Sequence, residues 1–258
     1  MKTEKIEEIR KVISLSLDEA ETNWSEVGHK LHIEKALTLD SISIIEARQE
    51  PSKIPGHQFV SDGIPIVEEF IALVVDMRNS TEHLKSERNN IRIENGFQRV
   101  YYETTALLSA VSTAVSFENG RVTEYLGDGA LALFSADADR KQAIYDAYHA
   151  AENCISIVRQ CINDEILNRY NLPQINLGVG LSISQAMVTL VGDEKNKQPK
   201  VIGQCVWEAT KLSGGVNCIY VSEALRAVWP TSTPGSLSFS TITGRSDING
   251  FRVKKKAY

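Results

Sequence analysis

Two aspartates stand where strand-like segments end. Asp76 closes the apolar run that begins at Phe70, and Asp128 lies between Gly127 and Gly129 with strand-like sequence on both sides. Carboxylates at the ends of neighbouring strands can meet and hold divalent metal ions, as two-metal phosphoryl chemistry requires. The sequence therefore predicts a metal site built from Asp76 and Asp128.

Each aspartate taken alone also fits a purely structural role. Asp76 could help to cap a helix that begins near Ser80 and Thr81. Asp128 could simply shape a hairpin turn, because Asp-Gly suits the backbone angles of such turns. The strand context that both share favours the metal site over two separate turn residues.

The composition indicates a folded protein with a packed core. The chain has 258 residues, 42% of them apolar, and a net charge of -5. No apolar run approaches the length of a membrane span, and the N-terminus lacks a secretory signal. The negative charge argues against a protein that coats nucleic acid. Four cysteines without CxxC spacing are expected to be reduced core residues of a cytoplasmic protein: Cys154, Cys161, Cys205 and Cys218.

The first 65 residues differ in pattern from the rest. Residues 1–65 are expected to form an N-terminal helical extension, with a second apolar segment at about 37–47. This part shows no recognisable chemistry, and we expect it to pack or to support a dimer rather than to sense a ligand. Its first helix has an apolar stripe at helical spacing, namely Ile6, Ile9, Val12, Ile13 and Leu17.

Residues 66–258 are expected to form an α+β domain. Long helices alternate with strands and hairpins, which is typical of a mixed or antiparallel sheet flanked by helices. The expected elements are a strand at about 67–75, helices at 81–115, a hairpin at 120–135, a long helix at 137–168, a strand pair at 174–191, a helix at 204–213 and strands near 218–222, 236–242 and 251–253.

Several segments from residue 66 to 256 resemble the class III nucleotide cyclases, the family of adenylate and guanylate cyclases. Asp76-Met77-Arg78-Asn79-Ser80-Thr81 is similar to the first metal segment of the family, and residues 125–134 are similar to the second. Further agreements follow in order at residues 177–183, 191–192, 201–203 and 219–223. The resemblance implies a ferredoxin-like palm core and makes 66–258 a nucleotide cyclase catalytic domain. A diguanylate-cyclase-like enzyme fits less well, because the turn at Asp128 lacks a second acid.

The resemblance implies a homodimer whose active sites lie at the subunit interface. Asp76 and Asp128 would bind two Mg²⁺ or Mn²⁺ ions, and the 3′-hydroxyl of a nucleoside triphosphate would attack its α-phosphate. The backbone at the start of the following helix would hold phosphate. The residues implied for this contact are Met77, Arg78, Asn79, Ser80 and Thr81.

The chain departs from the family in the helix after Val201-Ile202-Gly203. The family has an asparagine and, four residues later, an arginine, whereas this chain has Trp207 and Lys211. Lys211 still supplies a cation, without bidentate geometry. Trp207 cannot act as an amide, and it could instead be a core tryptophan in a catalytically inactive cyclase-fold regulatory module. Arg245 falls where the family places a triphosphate-binding lysine.

Two further departures concern the base of the substrate. At the positions that hold adenine in adenylate cyclases, this chain has Glu124 and Lys200, so the charges are reversed. A glutamate accepts from a ring N–H and a lysine donates to a carbonyl, which suits uracil or guanine. Trp207 is expected to narrow the pocket and to favour uracil. The alternative structural interpretation is that Glu124 and Lys200 are exposed loop charges.

Standalone bacterial pyrimidine cyclases of the Pycsar antiphage type depart from the family pattern in a comparable way. The resemblance to them implies conversion of UTP to cyclic UMP as an antiviral second messenger. It also implies a downstream effector that binds the cyclic nucleotide. The alternatives are a guanylate or other purine cyclase, or an inactive regulatory module.

Overall fold

The apolar run before Asp76 becomes the central strand of a mixed β-sheet. The computed structural model describes residues 1–27, 49–85, 92–193, 195–231, 235–243 and 248–256. Within these residues the main sheet has eight strands, and helices flank it. The α+β fold predicted from the sequence is confirmed.

The helices account for most of the chain between the strands. They are α1 (Thr3–Val27), α2 (Ser80–Leu84), α3 (Gly96–Ser116), α4 (Arg140–Asn153), α5 (Arg159–Tyr170), α6 (Gln204–Leu212) and α7 (Glu223–Ala227), with a π-helical turn at Cys154–Val158 between α4 and α5. None of these described helices has the length and apolarity that a membrane crossing needs.

The strands form one large sheet and one small hairpin. They are β1 (Gln49–Pro51), β2 (Phe59–Ser61), β3 (Ile66–Arg78), β4 (Arg121–Leu126), β5 (Gly129–Ser135), β6 (Asn176–Val191), β7 (Gln198–Gly203), β8 (Cys218–Val221), β9 (Leu237–Thr241) and β10 (Phe251–Lys255). β1 and β2 pair only with each other. The large sheet runs in the order β4-β5-β3-β6-β8-β10-β9, and β7 pairs with β6.

The first half of this sheet has the ferredoxin-like arrangement. β3, α3, the β4–β5 hairpin, the α4–α5 helix pair and β6 follow one another as βαββαβ, and their strands lie in the order β4-β5-β3-β6. β3 is antiparallel to both β5 and β6. β8 then adds parallel to β6, which makes the sheet mixed.

β3 is continuously apolar because both of its faces are covered. Alternate side chains enter two different cores, as the two-residue period of a strand requires. Ile71, Leu73 and Val75 pack with the helices α1, α3, α4 and α5 on one face. On the other face, the second core contains Phe70, Ala72 and Val74 with residues of the β1–β2 hairpin, β7 and α6.

The predicted strand pair at 174–191 is wrong. β6 is one strand of 16 residues, paired along the whole of β3 from Val188 opposite Ile66 to Asn176 opposite Arg78. Its other edge pairs first with β8 and then with β7. Continuous pairing on both edges keeps the strand extended, so the turn comes only after Val191.

α1 contributes directly to the core of the molecule. Its predicted stripe is buried, with Ile9, Ile13 and Leu17 fully inaccessible, and it packs against α3 and α5. The apolar segment expected at 37–47 lies outside the described residues. A domain boundary at residue 65 stays a prediction. All four cysteines are buried and free, as predicted.

Candidate active site

The strand register brings Asp76 to the β4–β5 turn. Asp76 lies opposite Gly129 of β5 and Gly178 of β6. A Cβ at Gly129 would lie 2.7 Å from the backbone oxygen of Val75 and 3.3 Å from Oδ1 of Asp76. Only glycine leaves room here for the Asp76 carboxylate, and the preceding residue in the turn is Asp128.

The electrostatics of Asp76 show that its negative charge lacks full compensation. Burial raises the pKa of Asp76 above its ordinary value of 3.8, and the nearby carboxylate of Asp128 raises it further. The guanidinium of Arg78 lowers this pKa in opposition, through a 2.5 Å bond from its Nη1 to Oδ2 of Asp76. Two carboxylates that destabilise each other in this way are stabilised by a bound cation.

The donor set at this position fits Mg²⁺ or Mn²⁺. Magnesium keeps several waters and binds through one or two carboxylates plus substrate phosphates. Asp76 and Asp128 supply the two carboxylates. In the part of the chain that is described, no cluster of three or more His, Cys, Asp or Glu side chains could hold a metal without a substrate.

The segment after Asp76 turns sharply into α2. Asn79 adopts the left-handed conformation with φ of 63°, which asparagine tolerates better than most residues. Met77 is buried and, with Arg78, still belongs to β3. The helix start therefore comprises only Asn79, Ser80 and Thr81 of the five residues expected to hold phosphate.

A buried ion network that the sequence analysis did not identify anchors α2 to α3. Nδ1 of His83 lies 2.8 Å from Oε2 of Glu103, and Nε of Arg99 donates to Oε1 of the same carboxylate at 2.8 Å. Glu103 is completely buried. Arg99 and Glu103 are one helical turn apart on an otherwise apolar face, which was the available signal in the sequence. The network fixes the segment that follows Asp76.

Glu124 and Lys200 meet in the folded chain. Nζ of Lys200 lies 2.6 Å from Oε2 of Glu124, and both side chains are partly buried. β4 and β7 are separated by β5, β3 and β6 in the sheet, so only its curvature around the second core brings them together. The pair borders a cavity of about 360 Å³ lined by residues 51–54, 123–125 and 198–200. The interpretation of these residues as exposed loop charges is wrong, because both lie on strands and are partly buried.

Trp207 and Lys211 lie one turn apart on the exposed face of α6. Trp207 is 55% exposed, so its interpretation as a core tryptophan is wrong. Neither side chain lines the cavity beside Glu124. The expected narrowing of the base pocket by Trp207 stays a prediction, and Arg245 lies outside the described residues.

Several solved nucleotide cyclases are similar to this fold. The adenylyl cyclase CyaB from P. aeruginosa is similar with a TM-score of 0.61 and 13% identity, over 75% of this chain and 97% of that chain. The guanylyl cyclase Cya2 has a TM-score of 0.58 and 16% identity, over 73% of this chain and 91% of that chain. The guanylate cyclase domain of RhGC from Catenaria anguillulae, solved in complex with GTP, has a TM-score of 0.53 and 15% identity, over 74% and 98% of the respective chains. No family model and no curated protein matches the sequence.

The raised pKa of Asp76 leads to a prediction about stability. Because the folded state binds this proton more tightly than the unfolded state, the free energy of unfolding falls as the pH rises above about 3.8 through the folded pKa. Asp76→Asn removes the charge and is expected to raise the melting temperature at pH 7. The difference in melting temperature between Asp76→Asn and the wild type should become smaller as the pH is lowered toward 4.

Melting temperatures of the wild-type protein and of Asp76→Asn, measured with and without Mn²⁺, test this prediction. Mn²⁺ should raise the melting temperature of the wild-type protein, because a ligand that binds only the folded state stabilises it, and should have no such effect on Asp76→Asn. Asp164→Asn, at an exposed carboxylate paired with Arg10, is the control and should keep the response to Mn²⁺. A lower melting temperature of Asp76→Asn at pH 7 would contradict the prediction.

Proposed function

We propose that the protein is a uridylate cyclase, which converts UTP to 3′,5′-cyclic UMP and pyrophosphate. The observation that carries the reaction type is the meeting of Asp76 and Asp128 at one end of β3, on a fold that solved cyclases share. The observation that favours the base is the pairing of Glu124 with Lys200 beside a cavity.

The proposed reaction is attack of the ribose 3′-hydroxyl on the α-phosphate. Divalent cations held by Asp76 and Asp128 would make the hydroxyl a better nucleophile and would neutralise the triphosphate. The first N–H groups of α2, which a helix leaves unpaired, are suited to bind phosphate oxygens. Lys211 and Arg245 would offset the negative charge that develops on the phosphates.

The active unit is proposed to be a homodimer with interfacial sites. Asp76 and Asp128 would come from one subunit, and Lys211 would come from the other. Large apolar side chains on β4, β7 and α6 are exposed in the single chain, including Leu126 at 43%, Ile202 at 56% and Trp207 at 55%. Exposed apolar surface of this kind is typical of protein–protein contacts.

The Glu124–Lys200 pair can bind a base without breaking. Oε2 of Glu124 accepts from Lys200, and among the described residues no hydrogen bond is made to Oε1. An ammonium has three N–H donors, so Lys200 keeps others for a ligand. The pair therefore presents an acceptor beside a donor, which matches the N3–H and carbonyl of uracil. Cytosine has no hydrogen on N3 and would face the carboxylate with a lone pair.

Guanine offers a similar edge, with N1–H beside a carbonyl. A guanylate cyclase is the second candidate because the same ion pair fits that edge, and two of the similar structures are guanylyl cyclases. The proposed biological role is that of an antiviral second messenger read by a cyclic-nucleotide-binding effector. That role rests on the resemblance to standalone bacterial pyrimidine cyclases.

Product analysis with the four nucleotides tests the proposal. The purified protein is incubated with Mn²⁺ and ATP, GTP, CTP or UTP separately, and the products are identified by mass spectrometry. We expect cyclic UMP and pyrophosphate to form fastest. Cyclic GMP as the main product would establish the second candidate, and no cyclic product from any nucleotide would refute cyclase activity.

Base selection is expected to depend on the ion pair. Glu124→Ala and Lys200→Ala each leave a charged group without its partner, which costs roughly 1–3 kcal/mol or more. The rate with UTP should fall about tenfold to a hundredfold, and the ratio of the UTP rate to the CTP rate should fall as well. Lys255→Ala, which breaks the surface pair with Glu152, is the control. If the ratio of the UTP rate to the CTP rate is unchanged in both Glu124→Ala and Lys200→Ala, the ion pair is not the basis of base selection.

A further inference from the structure

One wall of the cavity beside Glu124 comes from the N-terminal part of the chain. Residues 51–54, between β1 and β2, line it together with β4 and β7 residues. The residue pattern of this segment indicates no chemistry. Its contribution appears only in the folded chain, where the β1–β2 hairpin covers the second core next to β7.

The wall is held in place by its own contacts. Ile54 and Val60 are buried in the second core at 5% and 4% exposure. The backbone N–H of Ser52 donates to the carbonyl of Gln58 at 2.9 Å, and its Oγ accepts from the N–H of Ile54 at 3.0 Å. Lys53 is thereby carried on an anchored turn rather than on a loose loop.

Further bonds tie the hairpin to the sheet. Nε2 of His57 lies 2.9 Å from Oε2 of Glu68 at the start of β3. Lys197, just before β7, forms an ion pair with Asp62, just after β2. The β1–β2 hairpin, which carries Lys53, is thus tied both to β3 and to the segment just before β7.

Lys53 brings an ammonium group that has no acidic partner among the described residues. Its Nζ lies 5.9 Å from the centroid of the Tyr125 ring, and Tyr125 is the neighbour of Glu124 in β4. No carboxylate of the described residues pairs with it, whereas Lys197 and Lys200 each have one. Contact with an exposed aromatic ring is weak, so the ammonium is available to an acceptor on a ligand.

We propose that Lys53 is a third base-recognition residue, which donates to the second carbonyl of uracil. The inference rests on the proposed function and deepens it. Lys200, Glu124 and Lys53 offer a donor, an acceptor and a donor. The pairing edge of uracil offers the complement, namely the O4 carbonyl, the N3–H and the O2 carbonyl.

The contact of Lys53 with O2 distinguishes uracil from guanine, whereas the Glu124–Lys200 pair alone fits both bases. Guanine has an amino group where uracil has O2, so Lys53 would face another donor there. The ammonium of Lys53, which is exposed in the single chain, gains a hydrogen bond from O2 of uracil and none from the amino group of guanine. Lys53 therefore selects UTP over GTP, while Glu124 and Lys200 select UTP over CTP.

Substitution of Lys53 tests this assignment. Lys53→Met keeps much of the stem and removes the charge, and it is expected to lower kcat/KM for UTP about tenfold while leaving that for GTP nearly unchanged. Lys53→Arg keeps a donor and should restore part of the preference for UTP. Lys141→Met, at an exposed lysine of α4 that does not line the cavity, is the control and should behave like the wild type.

Three results would overturn the assignment. An equal loss for UTP and GTP in Lys53→Met would point to phosphate binding or to a structural role, and unfolding temperatures identify the latter. Unchanged kcat/KM values for both nucleotides would remove Lys53 from base recognition. A wild type that prefers GTP would do the same.

Direct binding separates failure of this inference from failure of the proposed function. The dissociation constants of UTP and GTP are measured calorimetrically with the wild type and Lys53→Met. If the wild type forms no cyclic product, the proposed function fails. The Lys53 assignment then still requires that UTP bind more tightly than GTP and that Lys53→Met remove the difference. Absence of nucleotide binding would refute both.

Discussion

Replacement of either Asp76 or Asp128 by alanine is expected to abolish nucleotide cyclisation. Each substitution removes a charged ligand from a pair that would hold the same cations, and loss of a group that stabilises transition-state charge costs on the order of 10²–10³ in turnover or more. Because the Asp76 charge is itself destabilising in the fold, this loss is not expected to come from unfolding.

Steady-state rates with saturating UTP and Mn²⁺ measure the effect, and circular dichroism checks the fold of each variant. Asp164→Ala is the matched control, because Asp164 is an exposed carboxylate paired with Arg10. It should leave turnover unchanged. Activity within about twofold of the wild type in a folded Asp76→Ala or Asp128→Ala variant would disprove the metal assignment.

The second large effect is expected when two inactive variants are mixed. Asp76→Ala damages the half-site that holds the cations, and Lys211→Ala damages the half-site on the other subunit. A heterodimer of the two has one doubly damaged site and one intact site. With random exchange in a two-fold symmetric dimer, roughly a quarter of wild-type activity should return.

A mixture of Asp76→Ala with Asp128→Ala provides the control for this experiment. Both substitutions lie on the same half-site, so each site of their heterodimer lacks one aspartate and activity should stay absent. Native mass spectrometry confirms that subunits exchange. If exchanged Asp76→Ala and Lys211→Ala mixtures remain inactive, or if the control mixture regains activity, the interfacial arrangement is wrong.

The order of elements follows from the sequence because it depends on local pattern. The apolar run that ends at Asp76, the hairpin around Asp128 and the helix that carries Trp207 all form within a few residues of their predicted bounds. The error at 174–191 arose where local pattern is insufficient, since the length of β6 is set by its partners β3, β8 and β7.

The sequence by itself predicted which residues could perform the chemistry, and it determined that one carboxylate lies near the end of a strand and another in a hairpin turn. Side-chain type and short-range periodicity are sufficient for both, because each strand or turn forms from adjacent residues. The resemblance to cyclases added the role expected of each segment, namely binding of metal, phosphate or base. It favoured uracil as the base of the substrate, with guanine or another purine as the alternative.

The resemblance to cyclases placed Glu124 and Lys200 at one base site, and the tertiary structure decided that they form an ion pair and which further residues join them. Lys200 reaches Glu124 across 76 positions of sequence, and Lys53 joins their cavity from a segment that showed no chemistry. These contacts arise because both faces of β3 must be buried, and covering its second face brings the β1–β2 hairpin, β7 and α6 together. Burial of a shared core has no local signature in the sequence, so the place of Lys53 in the cavity could be known only from the fold.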